Sequence, residues 1–266
     1  MDTSKPSSPV VVVTGSTRGL GRGLAAAFIA RGCSVVVSGR RQSDAERVAA
    51  ALGPQALGVA CDVTRAAQCE ALWQAAVARF GRVDIWINNA GIAAQRKPVW
   101  EQTDEEAGEV LDINLTGTLN GARAALRGMR AQGFGRLFNM EGYGSNGMVM
   151  AGMAAYGSSK AAVTYLTKSL AVEVKGTPIQ VRALSPGMVD TELLRRDYAG
   201  DPAAWERAKR AINTLADKVD TVAPWLADQV LASNRNGGRI AWLTTPKIAW
   251  RFATARIKPR HIIDAP

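Results

Sequence analysis

The sequence predicts an α/β fold: one doubly wound, seven-stranded parallel sheet with helices on both faces. Three observations carry that prediction. Short β-branched runs alternate with alanine-rich stretches of helical spacing, the pitch of repeated βαβ units. The runs are apolar at successive positions, as strands buried on both faces must be. The first of them closes on a glycine-rich turn that opens a helix.

In order, residues 9–15 (PVVVVTG) form the first strand and residues 19–31 a helix. Residues 33–38 are the second strand, and 43–52 a helix with Ser43 as its cap and Glu46 three residues on. Residues 56–61 are the third strand, 65–80 an amphipathic helix and 83–87 (VDIWI) the fourth strand. A helix near 103–111 runs towards a longer one around 113–132, and 136–140 (RLFNM) is the fifth strand. A helix spans about 155–175, and 179–184 (IQVRAL) is the sixth strand. Residues 188–218 break the rhythm, being charged and rich in helix formers. Their place between strand and helix is the usual one for a substrate lid. A helix over 222–232 and a seventh strand over 239–243 (RIAWL) complete the sheet. Residues 1–8 read as a flexible N-terminus, 9–245 as one domain and 246–266 as a basic, amphipathic tail.

Composition removes several kinds of chemistry. Hydrophobic residues make up 47% of the 266, enough for a large core. The single histidine, His261, lies near the end, so a Ser-His-Asp triad in the body and a two-histidine zinc site are excluded. Cys33, Cys61 and Cys69 form no CxxC, which argues against a disulfide framework, and no metal site is expected. Acid–base work then falls to Tyr, Lys, Asp, Glu or a cofactor. The net charge of +10 suits an anionic partner. With neither zinc finger nor aromatic RNA-binding motif, nucleic acid is not expected. No apolar run approaches the roughly 20 residues needed to span a bilayer. The polar start MDTSKPSSP lacks a signal peptide's apolar stretch, so a cytoplasmic location is the expectation.

Three motifs carry chemistry. Thr14-Gly15-Ser16-Thr17-Arg18-Gly19-Leu20-Gly21 is a TGxxxGxG turn between a buried strand and a helix. Its glycines let the backbone approach a pyrophosphate, and the helix N-terminus presents N–H groups to it, so a dinucleotide is the expected ligand. At the end of the second strand, where NAD-binding domains place an acid for the ribose 2′-hydroxyl, the chain has Arg40 and Arg41 instead. With Arg18 they suit a 2′-phosphate, so NADPH/NADP+ is the expected cofactor. Tyr156-Gly157-Ser158-Ser159-Lys160 places a phenol and an ammonium on one helix face. A free tyrosine titrates near 10 and must come down by about 3 units, roughly 4 kcal/mol, to trade a proton at neutral pH. A neighbouring ammonium acts in that direction.

TGxxxGxG, Asp62-Val63, Asn88-Asn89-Ala90-Gly91, Asn114, YxxxK and Ser185-Pro186-Gly187 stand in the order and spacing of the short-chain dehydrogenase/reductase family, which the chain resembles over about residues 9–245. The resemblance implies a Rossmann sheet with the cofactor across the strand C-termini. It implies that Asp62 and Val63 contact the adenine, and that the Asn89-Ala90-Gly91 backbone supports the fourth strand and the adenosine ribose. Tyr156 is implied as proton donor and Lys160 as a ligand of the nicotinamide ribose. Pro186, Gly187, Val189 and Thr191 are implied at the nicotinamide amide, and Asn114 at a water linking Lys160 to solvent. A homo-oligomer, dimer or tetramer, is also expected.

One position departs from the family. The carbonyl-orienting serine usually stands 13 residues before the tyrosine, where this chain has Tyr143; Ser145 stands 11 before it. Either Ser145, or the Tyr143 hydroxyl or a backbone N–H, polarises the carbonyl. The stretch FNMEGYGSNG, with YGSSK, SPGMVDTELL and the tail from Gly238 to Ile248, resembles the chlorophyll b reductases. That likeness implies NADPH-dependent reduction of the 7-formyl group of chlorophyll b or chlorophyllide b to 7-hydroxymethyl. Met148, Met150, Met153, Leu193, Leu194, Tyr198 and Trp205 offer an apolar wall for such a large pigment, or are ordinary packing. A generic alcohol, ketone or steroid dehydrogenase is the alternative enzyme, and a non-catalytic NADPH-binding regulator the alternative of another class. In the tail, Lys247, Arg251, Arg256, Lys258 and Arg260 occur beside Ile248, Trp250, Phe252, Ala255 and Ile257. That composition predicts either peripheral contact with a membrane or packing on the fold.

Overall fold

The computed structural model describes residues 8–196, 198 and 202–263. The N-terminus expected to be flexible lies, apart from Ser8, outside the described residues. The elements run β1 Val10–Val13, α1 Gly19–Ile29, β2 Ser34–Gly39, α2 Gln42–Leu52, β3 Ala56–Ala60, α3 Ala66–Phe80 and β4 Ile85–Asn88. After them come α4 Asp104–Leu111, α5 Gly117–Gln132, β5 Gly135–Met140, α6 Ala154–Glu173 and β6 Ile179–Ser185. The chain continues through β7 Val189–Asp190, α7 Glu192–Arg196, α8 Pro202–Leu215, β8 Asp217–Lys218, α9 Val219–Leu231, β9 Arg239–Ala241 and α10 Thr245–Thr254.

Seven strands form one parallel sheet in the order β3-β2-β1-β4-β5-β6-β9. The valines of β1 are buried on both sides because helices cover both faces. Val11 and Val13 face α1 and α9 with Leu24, Phe28 and Leu226. Val12 faces α3 and α5 with Leu72, Trp73 and Trp86. The direction of winding reverses between β1 and β4, which opens a crevice at their C-terminal ends.

A chain of buried polar groups stiffens the floor of that crevice. Trp86 Nε1 donates to Asn88 Oδ1 (2.8 Å), Asn88 Nδ2 to Asn139 Oδ1 (2.9 Å) and Asn139 Nδ2 to Thr167 Oγ1 (2.9 Å). Every link is satisfied, so β4, β5 and α6 are held in one register.

Four local features differ from the sequence reading. Ser43 is not a cap: α2 starts at Gln42 after Arg41, and Gln42 Nε2 instead donates to Glu46 Oε1 (2.8 Å). The two helices expected over 103–132 are one rod, joined by a π-helical turn over Asp112–Thr116 and started by a Thr103–Glu106 capping box. The lid region folds as α7 and α8, with β7 and β8 paired beneath them. The last strand stops at Ala241; the Trp242 main-chain N–H still donates to the Ser185 carbonyl (2.9 Å), and its indole N–H reaches Asp217 Oδ2 (2.6 Å).

The tail is folded onto the body. Arg251 points inward, 6% exposed, and its guanidinium donates to both Asp217 carboxylate oxygens and to the Leu215 carbonyl. Arg260 adds bonds to Asp217 and the Thr214 carbonyl. Phe252 and Trp250 are exposed. Among the described residues no helix is long and apolar enough to cross a membrane.

Candidate active site

The glycine turn leaves β1 and lies against the loop after β4. At Gly15, φ is +60° and an added Cβ would lie 2.7 Å from Ala90 Cα, so the position admits only glycine. At Gly21 a Cβ would overlap the Asn89 side chain and the Gly15 carbonyl, so α1 can dock this close only without one. The Asn88-Asn89-Ala90-Gly91 segment clamps the turn. Asn89 Nδ2 donates to the carbonyls of Thr14 (2.9 Å) and Gly15 (3.0 Å), and Thr14 Oγ1 accepts the N–H groups of Asn89 and Ala90. The first turn of α1 carries no acid and no side-chain cap. This bare backbone at a helix N-terminus fits a pyrophosphate.

Not every residue of the motif faces the crevice. Ser16 is fully buried: its hydroxyl donates to the Val13 carbonyl (2.7 Å) and accepts the Ser38 N–H (2.9 Å), splicing β1 to β2. Thr17 lies over Gly39, where a Cβ would lie 2.7 Å from its methyl, so the turn meets the end of β2 just before Arg40. Arg40 and Arg41 are exposed there, Arg40 beside Glu109 (3.7 Å) and Arg41 beside Asp44 (2.6 Å). Arg18 reaches over the turn to Glu192 at the start of α7 (2.7 Å), and Gly19 sits under Thr191. Leu20 packs against the core on the α1 side.

At the β3 end, Asp62 Oδ1 holds the Thr64 N–H and hydroxyl, and Val63 packs against Gly117. Across the crevice, Pro186 is buried after β6. Gly187, at φ +71°, lets Leu243 approach, and Val189 starts β7.

Tyr156 and Lys160 are one turn apart near the start of α6. The phenol is half-buried and the ammonium buried. Lys160 Nζ lies 5.9 Å from the phenol ring centre and donates to the Met140 carbonyl (3.3 Å). Burial pushes Lys160 down to about 8, and Glu141 works against that shift. Gly91 brings Asn114 to the same place: a Cβ there would lie 3.1 Å from Asn114 Oδ1 and 3.5 Å from Lys160 Nζ. Asn114 sits in the π-helical turn, and its side chain is occupied by both main-chain groups of Ile92 and by the Ser159 hydroxyl.

The rebuilt loop after β5 closes the site. Ser145 Oγ accepts the Gly142 N–H (3.1 Å) and donates to the Lys160 carbonyl (3.2 Å). Tyr143 turns away and donates its hydroxyl to the Val149 carbonyl (3.0 Å). Of the two, Ser145 is the one tied directly to the Lys160 segment. Gly142 was not singled out from the sequence, yet a Cβ there would overlap the Tyr156 hydroxyl. Glu141 and Arg239 were also missed. Buried Glu141, just past the end of β5, pairs with the exposed Arg239 at the start of β9. Thr14 had a signal, its place at the head of the TGxxxGxG turn. Glu141 had no signal beyond its place at the end of the fifth strand.

At the mouth, Gly152 abuts Arg96 and Lys97, Arg96 stacks over Tyr198 (4.2 Å), and Tyr198 meets Trp205 edge-on (5.5 Å). This row joins the methionine-bearing loop to the lid. Met148, Met150 and Leu193 are exposed beside it, while Met153 is buried.

The short chain dehydrogenase family model matches residues 9–201. The chain is 38% identical over 239 residues to chloroplastic chlorophyll(ide) b reductase NOL of Oryza sativa subsp. japonica, covering 85% of this chain and 67% of that protein. It is 37% identical over 274 residues to the Arabidopsis thaliana protein of that name, covering 96% and 76%. Among solved structures, a 3-ketoacyl-(acyl-carrier-protein) reductase from Brucella melitensis complexed with NADH superposes with a TM-score of 0.77 at 28% identity, covering 88% of this chain and 96% of that one. A serine dehydrogenase complexed with NADP+ gives 0.76, also at 28%, covering 87% and 94%. With the family's motifs gathered at one crevice, the chain belongs to the short chain dehydrogenase family and is an NAD(P)-dependent oxidoreductase of carbonyl and alcohol groups.

Proposed function

We propose that the chain is an NADPH-dependent carbonyl reductase acting on the formyl group of a chlorophyll b-type pigment. The observation that carries this reading is the half-buried Tyr156 phenol, set against Gly142 beside the buried Lys160 ammonium. A bound reduced nicotinamide supplies hydride to the carbonyl carbon. Tyr156 gives its proton to the developing alkoxide. The Lys160 ammonium favours the phenolate left behind. Ser145 donates to the substrate oxygen by turning its hydroxyl from the Lys160 carbonyl, a contact that strengthens as charge develops. Asn114 holds Ile92 and Ser159 in place, and through a water it links Lys160 to solvent. Arg40 and Arg41, with Arg18, take the 2′-phosphate. Their present partners, exposed Glu192 and Glu109 and half-buried Asp44, form solvent-screened ion pairs, so a phosphate displaces them.

The pigment assignment is supported by the names of the two plant relatives and by the apolar rim of Met148, Met150, Leu193, Tyr198 and Trp205. NADPH consumption and product analysis with chlorophyllide b, beside simple ketones and steroids, tests it. Reduction of chlorophyllide b to the 7-hydroxymethyl product is expected. Turnover of simple ketones alone would leave a generic dehydrogenase. NADPH binding without turnover of any carbonyl would leave a regulator.

Tyr165 and Val172, two turns apart on α6, are exposed, which supports a homo-oligomer; mass in solution tests it. On α10 and the turn after it, Trp250, Phe252 and Ile257 are exposed beside Arg256 and Lys258. A groove of about 630 Å³ between α8 and α10 adds Arg207 and Arg210. This face suits peripheral contact with anionic lipid, because a second copy would bring like charge against it. Salt-sensitive sedimentation with vesicles containing phosphatidylglycerol, lost on Arg210→Glu/Arg256→Glu, is expected. Equal binding to neutral vesicles, or none, would contradict it.

A further inference from the structure

Glu141 ends up where four elements meet. Its carboxylate is 3% exposed, so its charge needs compensating partners. One oxygen accepts the Thr164 hydroxyl (3.2 Å), and the other accepts Arg239 Nε. Thr164 is one turn beyond Lys160 on α6 and shares its hydroxyl with the Lys160 carbonyl (3.2 Å). Arg239, on β9, also donates to Ser185 Oγ (2.9 Å), the residue leading into Pro186 and Gly187. The Met140 carbonyl, immediately before Glu141, accepts Lys160 Nζ. The carboxylate therefore shares its surroundings with the Lys160 ammonium while its own counter-ion stands at the sheet edge.

We propose that Glu141 is a positioning residue for Lys160: its buried carboxylate keeps that ammonium charged beside Tyr156, and Arg239 sets how much of its charge Lys160 feels. The proposal deepens the catalytic reading above and rests on it for its effect on turnover. Several elements face Lys160. Its own helix supplies Tyr156, β5 supplies Glu141, and β9 supplies Arg239 behind Glu141. The loop after β4 and the π-helical turn supply Gly91 and Asn114, both uncharged. Burial disfavours the ammonium, and the Glu141 charge opposes that.

The sign of each perturbation follows. Lys160 is charged below its own titration point, so turnover falls as pH rises through it. Removing the Glu141 charge moves that point to lower pH. Removing the Arg239 charge exposes Lys160 to the full carboxylate and moves it to higher pH. A merely structural pair would weaken the protein in both variants without moving the titration in opposite directions.

The test is a pH titration of the full chain carrying ¹³C-labelled lysine, with the Lys160 signal assigned by its loss in Lys160→Arg. This readout does not need turnover. Glu141→Gln is expected to lower the Lys160 midpoint by about half a unit or more, Arg239→Gln to raise it, and Glu141→Asp to restore it. The alkaline limb of kcat should follow in the same order. Midpoints that stay put, or that move the same way in Glu141→Gln and Arg239→Gln, overturn the proposal. Midpoints that move as stated in a chain that reduces no carbonyl would overturn the catalytic reading and leave the coupling standing.

Discussion

The Ser145 hydroxyl joins two parts of the site: it donates to the main-chain carbonyl of Lys160 at 3.2 Å and accepts the Gly142 N–H at 3.1 Å. A hydroxyl has one proton to give, so donation to a substrate oxygen means releasing the Lys160 carbonyl. Ser145→Ala should lower kcat about 10²-fold, the cost of one oxyanion donor. Tyr143→Phe removes only a bond to the Val149 carbonyl and should keep kcat within about twofold. Steady-state kinetics of both variants check the ranking, and the reverse order would give the role to Tyr143.

Gly142 leaves no room for a side chain beside the phenol. Gly142→Ala should displace Tyr156 and lower kcat at least about tenfold, while the NADPH dissociation constant changes little. Calorimetric titration beside turnover separates the two effects. Full activity in the variant would mean that Tyr156 does not work from the position seen here.

Cofactor choice should follow the arginines at the end of β2. NADPH should bind at least about tenfold more tightly than NADH, roughly 1.4 kcal/mol, and Arg40→Ala/Arg41→Ala should erase most of the difference. Direct binding at two salt concentrations checks this, since exposed charge is screened. Equal affinities in the unmutated chain would remove the assignment.

Asp217 is the peg on which the tail hangs. It is buried and accepts from Arg251, Arg260 and Trp242. Asp217→Asn leaves Arg251 as an uncompensated buried charge, a loss of about 3–5 kcal/mol. For a domain of this size that lowers Tm by on the order of 10 °C. Calorimetry measures the drop, and limited proteolysis should cut the tail first. An unchanged Tm would mean the tail contributes little to the fold.

The sheet and the glycine turn were legible because they depend on neighbours in sequence. A β-branched run closing on glycine reads the same whatever packs against it. What escaped depends on partners far along the chain. An arginine set among aromatics in a basic tail reads as solvated, and Arg251 is buried only because Asp217 waits 34 residues earlier. Glu141 meets Arg239 across 98 residues, and Gly142 meets Tyr156 only after α6 folds back over β5. The π-helical turn that carries Asn114 was hidden for another reason: one extra residue in a turn leaves both flanking periodicities intact.

The most direct test of the account is a single turnover in which the chain, loaded with NADPH, meets chlorophyllide b while reduced-nicotinamide absorbance is followed. The unmutated chain should consume NADPH and form the 7-hydroxymethyl product. Tyr156→Phe should bind NADPH with near-normal affinity and consume almost none within the same interval. Tyr156→Phe turning over at the normal rate would contradict the assignment of Tyr156 as proton donor, and an unmutated chain that binds NADPH without consuming it would contradict the reductase itself.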